Sequence, residues 1–166
     1  MPIIAIDPGN VQSGYCVIDQ KTLRPLEFGK IDNEALLKKL ESAAEQGWRW
    51  AVIEMVASYG MSVGRDVFDT TVWIGRFYQM LSSRCPVRMM CRIEEKKYIC
   101  HDSRANDTAI RRALIDRFAA HDLKNGKGTK KAPDFFYGFK ADVWAAYALG
   151  LTAIENREND YKFSTT

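Results

Sequence analysis

Residues 3–30 hold three strand-like segments in succession, Ile3–Asp7, Gly14–Asp19 and Leu23–Lys30, joined by short turns. Such a start commits the chain to a sheet whose first members pair antiparallel through hairpins. Asp32 or Asn33 is placed to cap a helix running to about Gln46, with Leu36, Leu37, Leu40 and Ala44 on one face and Gly47 as its stop. "WRWAVIE", Trp48–Glu54, then reads as a fourth strand, apolar enough to sit centrally. A helix between strands three and four makes a crossover, which lays strand four parallel to strand one with both carboxyl ends on one edge. The alternation continues. Val67, Ile74, Phe77 and Leu81 recur at helical spacing, and Pro86 opens a fifth strand, "VRMMCRI". A short helix is expected at Glu94–Cys100 and a longer one at Asn106–Ala120, aligned on Ile110, Leu114 and Phe118. A last helix runs from about Lys140 to Glu155. The fold class is α/β: a five-stranded mixed sheet flanked by helices.

Nothing in the pattern divides the chain, and 166 residues suit one domain with a sizeable core. Within it, 124–134 reads as a mobile basic loop and 157–166 as a polar tail. No apolar run reaches the ~20 residues of a membrane span, and no signal segment opens the chain, so the expected location is the cytoplasm. The four cysteines, Cys16, Cys85, Cys91 and Cys100, form no CxxC pair and have no histidine at ligand spacing. They read as reduced structural residues rather than zinc ligands. A net charge of +3 is too small to argue for a nucleic-acid partner by itself. "KNGKGTKK", Lys124–Lys131, concentrates lysine without any acid, which fits either a solvated surface loop or a phosphate-contacting arm.

The chemistry lies in acids. "IIAIDPGNVQSGYCVID" drives an apolar strand straight into Asp7, and burying a lone carboxylate is costly without a partner or a cation. Strand four ends the same way, on Glu54, and ligands of open α/β sheets bind outside the carboxyl ends of strands. Asp142 opens the otherwise apolar last helix, "KADVWAAYALGL", which is placed to cross the sheet and aim that acid at the other two. Each has a plain structural reading: Asp7 as a turn former before Pro-Gly, Asp142 as a first-turn acid favoured by the helix dipole, Glu54 as half of a salt bridge. Together they form a set of oxygen donors that suits Mg²⁺ or Mn²⁺.

"IIAIDPGNVQSGYCVID", "VIEMVASYGMSVG" and "KADVWAAYALGL" resemble the RuvC family of Holliday-junction resolvases, within the RNase H-like superfamily. The likeness spans roughly residues 3–155 and looks closest to the RuvC-like proteins of phages and prophages. It implies an RNase H-like sheet and a crossover junction endodeoxyribonuclease, working in the cytoplasm of a bacterial or phage-infected cell. It further implies that Asp7, Glu54 and Asp142 are catalytic metal ligands holding two divalent ions. The family commonly carries a fourth ligand, Asp or His, three residues before the last acid. Here that position is Phe139, and water, Asp134 or His101 are the alternatives. Lys140, beside the last acid, is expected either to contact a phosphate or to neutralise surplus carboxylate charge.

The resemblance also implies branched, four-way DNA as substrate and a symmetric homodimer that nicks two opposed strands. Trp73, Phe77 and Tyr78 on the second helix are candidates for the dimer interface or for packing on the sheet. Tyr59 and Met61, in the loop after Glu54, are placed to wedge against bases. Lys96, Lys97 and Arg104, with Lys124, Lys127, Lys130 and Lys131, are the candidate backbone contacts. Two other readings stay open: a non-cleaving binder of branched DNA with a degenerate site, and an actin-type ATP-binding domain, whose first phosphate loop "IDPGNVQSGY" also resembles. The second would need a duplicate domain that 166 residues cannot hold.

Overall fold

The computed structural model describes residues 1–42 and 47–163, with side chains as far as Asn156. In chain order the elements are β1 (Pro2–Asp7), β2 (Gln12–Asp19), β3 (Pro25–Asp32), α1 (Asn33–Ser42), β4 (Ala51–Met55), α2 (Arg65–Ser82), β5 (Val87–Cys91), α3 (Arg92–Cys100), α4 (Asp107–Phe118) and α5 (Ala141–Phe163). The five strands form one sheet in the order β3-β2-β1-β4-β5. β1 pairs antiparallel with β2, and β2 with β3, while β1–β4 and β4–β5 are parallel. The carboxyl ends of β1, β4 and β5 therefore share one edge, as a crossover through α1 requires.

Alternation along the strands sorts two cores. Ile4, Ile6, Val17, Ala51 and Ile53 face α1 and α2, where Leu36, Leu40, Ile74, Phe77 and Leu81 meet them. Ile3, Ala5, Cys16, Ile18 and Val52 face α5, whose Ala146, Tyr147 and Leu149 share that second core. The α5 contact is close. A Cβ added to Gly150 would lie 2.4 Å from Ile18 Cδ1 and 3.0 Å from the Ala5 Cβ, so only glycine lets the helix seat there. By the same alternation, Asp7 and Glu54 emerge on the α5 face, continuing the rows of Ile3–Ala5 and of Val52.

Several boundaries depart from the expected ones: β2 begins at Gln12 rather than Gly14, β3 runs Pro25–Asp32 rather than Leu23–Lys30, and β4 runs Ala51–Met55 rather than Trp48–Glu54. The strand written "VRMMCRI" stops at Cys91, whose backbone N–H donates to the Glu94 side chain at 3.0 Å, so Arg92 and Ile93 open α3. That turn brings Arg92 to the sheet edge. α5 continues to Phe163, past Glu155, carrying part of the expected polar tail as helical backbone. Ala44 and the end of the first helix at Gln46 lie outside the described residues, as does 164–166.

Candidate active site

The turn after β1 is fixed from below. Asn33, buried at the start of α1, donates its side-chain N–H to the Gly9 carbonyl at 2.8 Å and accepts from the Ser13 hydroxyl at 2.5 Å. Ser13 in turn accepts from the Gly9 backbone N–H at 3.2 Å. Asp7 is thus presented on a braced turn rather than a free loop. Across the sheet its register partner is Gly14, and the partner of Gly14 is Lys30. A Cβ on Gly14 would stand 2.6 Å from the Asp142 carbonyl oxygen and 2.9 Å from the Asp142 Cβ. The absence of a side chain at Gly14 lets the first turn of α5 drop onto β2. Lys30 reaches across the same gap, and its Nζ lies 2.6 Å from Asp142 Oδ2.

Asp7, Glu54 and Asp142 line one cavity of about 340 Å³, with Arg92, Asp107, Arg111 and Trp144 completing its walls. Asp7 and Glu54 share a hydrogen bond in which the Asp7 carboxyl donates, because its pKa is pushed up to about 8. Burial is the main cause, and the charges of Glu54 and Asp142 add to it. Glu54 is also raised by burial, against the opposing pull of the Arg92 guanidinium. Arg92 Nη1 lies 3.5 Å from Glu54 Oε2 and 3.6 Å from Glu95 Oε2, while its Nη2 lies 2.5 Å from Asp107 Oδ1. Burial pulls the Arg92 pKa down, yet these three carboxylates outweigh it and keep the group charged.

Three acids far apart in sequence therefore come to one cavity. Two of them touch, and the third is turned to a lysine. Among the described residues, no group of three or more His, Cys, Asp or Glu gathers in an arrangement that could hold a metal ion. The donor chemistry nevertheless fits a hard divalent cation. A carboxyl group that stays protonated near neutral pH beside two other carboxylates marks an excess of negative charge that such a cation would relieve.

The positions without a ligand role have structural reasons. Phe139 is fully buried among Phe28, Phe136, Trp144 and Tyr147, so the position where the family carries a fourth ligand belongs here to the core. Asp134 accepts backbone N–H bonds from Ala120, His121, Asp122 and Phe135, which hold its carboxylate well below the usual range despite its burial. It locks the chain after α4. His101 caps α3 in a left-handed conformation and lines no part of the acid cavity. Lys140 is exposed, and the cation on Asp142 is Lys30 instead.

A second cavity of about 550 Å³ adjoins the first through Glu54 and Arg92. Tyr59, Met61 and Lys96 line it, and Tyr59 and Met61 are 63% and 71% exposed, so neither packs on its own domain. Lys97 and Arg104 are exposed on and just after α3. Lys124, Lys127, Lys130 and Lys131 line neither cavity. Their loop is held by Asp122, which accepts from the N–H groups of Asn125, Lys127 and Gly128, and by Arg112, which donates to the Leu123 and Lys124 carbonyls. Arg111, exposed on α4, also lines the acid cavity, with its guanidinium 5.2 Å from the Trp144 ring centre.

Sequence reasoning missed Arg92, Glu95, Asp107, Arg111 and Lys30. For Lys30 the signal was available: a three-strand register places it opposite Gly14 and so beside Asp7.

No protein-family model matches the sequence, and no curated protein does. Among solved structures the chain is similar to Thermus thermophilus RuvC, with a TM-score of 0.66 and 17% identity over 96% of this chain and 97% of that one. It is similar to T. thermophilus RuvC in complex with Holliday junction substrate, with a TM-score of 0.65 and 16% identity over 95% and 96% of the two chains. These likenesses fix the architecture: the chain has the RuvC-type, RNase H-like fold, a five-stranded mixed sheet flanked by helices.

Proposed function

We propose that this protein is a divalent-metal-dependent, structure-selective endonuclease that nicks four-way (Holliday) junctions or related branched DNA, a resolvase of the phage and prophage RuvC type. The observation that carries this reading is the meeting of Asp7 and Glu54 at the carboxyl edge of adjacent parallel strands, with Asp142 delivered to the same cavity. Asp7, Glu54 and Asp142 would hold Mg²⁺ or Mn²⁺. When bound, the ion supplies charge neutralisation at the scissile phosphate and activation of the attacking water.

The chain's own groups do the rest. Asp7 holds a proton against Glu54 and would release it to solvent were a cation bound there, and Lys30 holds Asp142 at the cavity. Arg111, over Trp144 at the cavity wall, is placed to meet a phosphate. Tyr59 and Met61 project from the adjoining cleft, where an aromatic face can stack on an exposed base. Lys96, Lys97, Arg104, Lys140 and the lysines at 124, 127, 130 and 131 contact phosphates without reading sequence.

A symmetric dimer follows from the two-fold symmetry of the substrate. Phe77 is fully buried under the sheet, whereas Phe68 and Val72 are exposed and share one face of α2. These two, with the half-exposed Tyr78, are the interface candidates. Among the described residues no helix is long and apolar enough to cross a membrane, which accords with a cytoplasmic site of action.

A second reading has an observation in its favour. Arg92 and Lys30 already engage Glu54 and Asp142, as they would in a protein that binds junctions without cutting them. Incubation with labelled four-way, forked and linear DNA, in Mg²⁺ or chelator, separates the two. The nuclease reading expects Mg²⁺-dependent nicks in branched DNA and little in linear DNA. Equal cutting of linear DNA makes it a general nuclease, and a shifted but uncut junction makes it a binder.

A further inference from the structure

The cleft beside the acid cavity, at about 550 Å³, is the size of a ligand pocket, for which ~300–1,000 Å³ is usual. Its lining is mostly aliphatic: Met55 and Val56 at the end of β4, Val63 and Val67 around the start of α2, and Ile93 on α3, all half-buried. Lys96, Arg92 and the exposed Ser103 supply its polar groups. Tyr59 joins this lining from a turn of uncommon geometry. Its φ is +49° and that of Gly60 is +82°, and the Met61 N–H donates to the Ser58 carbonyl at 2.9 Å, which makes Ser58–Met61 a type I′ turn. Asn-Gly is the usual pair at the centre of such a turn, and a bulky aromatic seldom adopts the first position. The backbone accepts that strain to present a ring that is 63% exposed.

The chemistry of the cleft narrows what fills it. Aliphatic walls under an aromatic ring suit a flat, weakly hydrated group. Lys96, with Lys97 and Arg104 exposed nearby in sequence, suits the phosphates attached to such a group. The wall shared through Glu54 and Arg92 puts the same group next to the acid cavity. A nucleobase on its backbone meets all three conditions. A base still paired and stacked in a duplex must first be pulled out, whereas one already unpaired at a branch point enters at least cost.

We propose that this cleft is a pocket for one unpaired base, with Tyr59 stacked over it, so that the preferred substrate class is branched DNA carrying an unpaired nucleotide at the branch point rather than a fully paired junction. This rests on the branched-DNA reading above. The test is binding by the full chain in chelator, to an immobile four-way junction and to the same junction with one extra unpaired thymidine at the crossover. Stacking in the cleft should tighten binding to the second by about 5- to 150-fold. Permanganate, which attacks an unpaired thymine across its ring face, should modify that base in free DNA and far less in the complex. Tyr59→Asn keeps the turn, since Asn-Gly suits type I′, and removes the ring, so the affinity for the unpaired DNA should fall towards that for the paired one. Equal affinity of the wild type for the two DNAs overturns the proposal, as does a thymine left fully reactive in the complex. Both results stand even if Tyr59→Asn fails to fold. A folded Tyr59→Asn that weakens both DNAs alike also overturns it, making Tyr59 a wedge on paired ends. Preference and protection without nicking of any branched DNA in Mg²⁺ leave the pocket standing and sink the nuclease reading alone. Nicking without preference does the reverse, and no binding to either DNA removes both.

Discussion

Replacing Asp7 with Asn removes a carboxyl group that the fold holds protonated, and the consequence for stability can be worked through. The Asp7 pKa rises from its ordinary 3.8 to about 8, first by burial and then by Glu54 and Asp142. An acid whose folded value is raised contributes fully below its unfolded pKa, and that contribution is lost as pH climbs towards the folded value. The window here is pH ~4 to ~8. A rise of about four, at ~1.4 kcal/mol for each pH unit, sets a ceiling of roughly 5 kcal/mol at pH 8. Asp7 is only partly shielded from solvent, and screening and relaxation bring the realistic figure to about 1–3 kcal/mol. Asn keeps a donor for Glu54 and abolishes the ionisation. At ~2–4 °C per kcal/mol for a chain of this size, Asp7→Asn should melt about 2–12 °C above wild type at pH 8 in chelator. Near pH 4 the two should melt together. Added Mg²⁺ at pH 8 should raise the wild type and leave the variant unmoved. A variant that melts below wild type at pH 8, or a gap of equal size at both pH values, would refute the account of Asp7.

Gly14→Ala puts a methyl 2.6 Å from the Asp142 carbonyl oxygen and should destabilise by about 1–3 kcal/mol while impairing cleavage, whereas Gly64→Ala, with open space around it, should do neither. Thermal melts paired with nicking assays check this. Val72→Asp on the exposed face of α2 should convert a dimer to a monomer in sedimentation, with the melting temperature little changed. Replacing Lys127, Lys130 and Lys131 by Gln should weaken junction binding evenly across sequences and flatten the salt dependence of log K by about 2–3. An unchanged slope removes that loop from the interface.

Much of the architecture was legible because it is written in periods of two and of about 3.6. The strand-end acids stood out since each terminates an apolar run, and a crossover helix puts their ends on one edge. Asp142 was legible for a related reason: a charged residue opens an otherwise apolar helix. What escaped depends on contacts that periodicity does not encode. Arg92 and Glu95 sit in "CRIEEKKY", where charge looks like a solvated helix face, and only the stop of β5 at Cys91 turns them inward. A single Glu among several gives no sign of being wholly buried. Phe139 showed the converse: its departure from the family pattern was plain, and the aromatic cluster that absorbs it appears only in three dimensions.

The most direct measurement pairs wild type with Asp7→Asn on one labelled four-way junction, in Mg²⁺ and in chelator, reading nicks on a denaturing gel and binding on a native one. The account expects the wild type to nick opposed strands only in Mg²⁺, while the variant shifts the junction as well as wild type and leaves every strand whole. Nicking by the variant at the wild-type rate, or by the wild type in chelator, would contradict it.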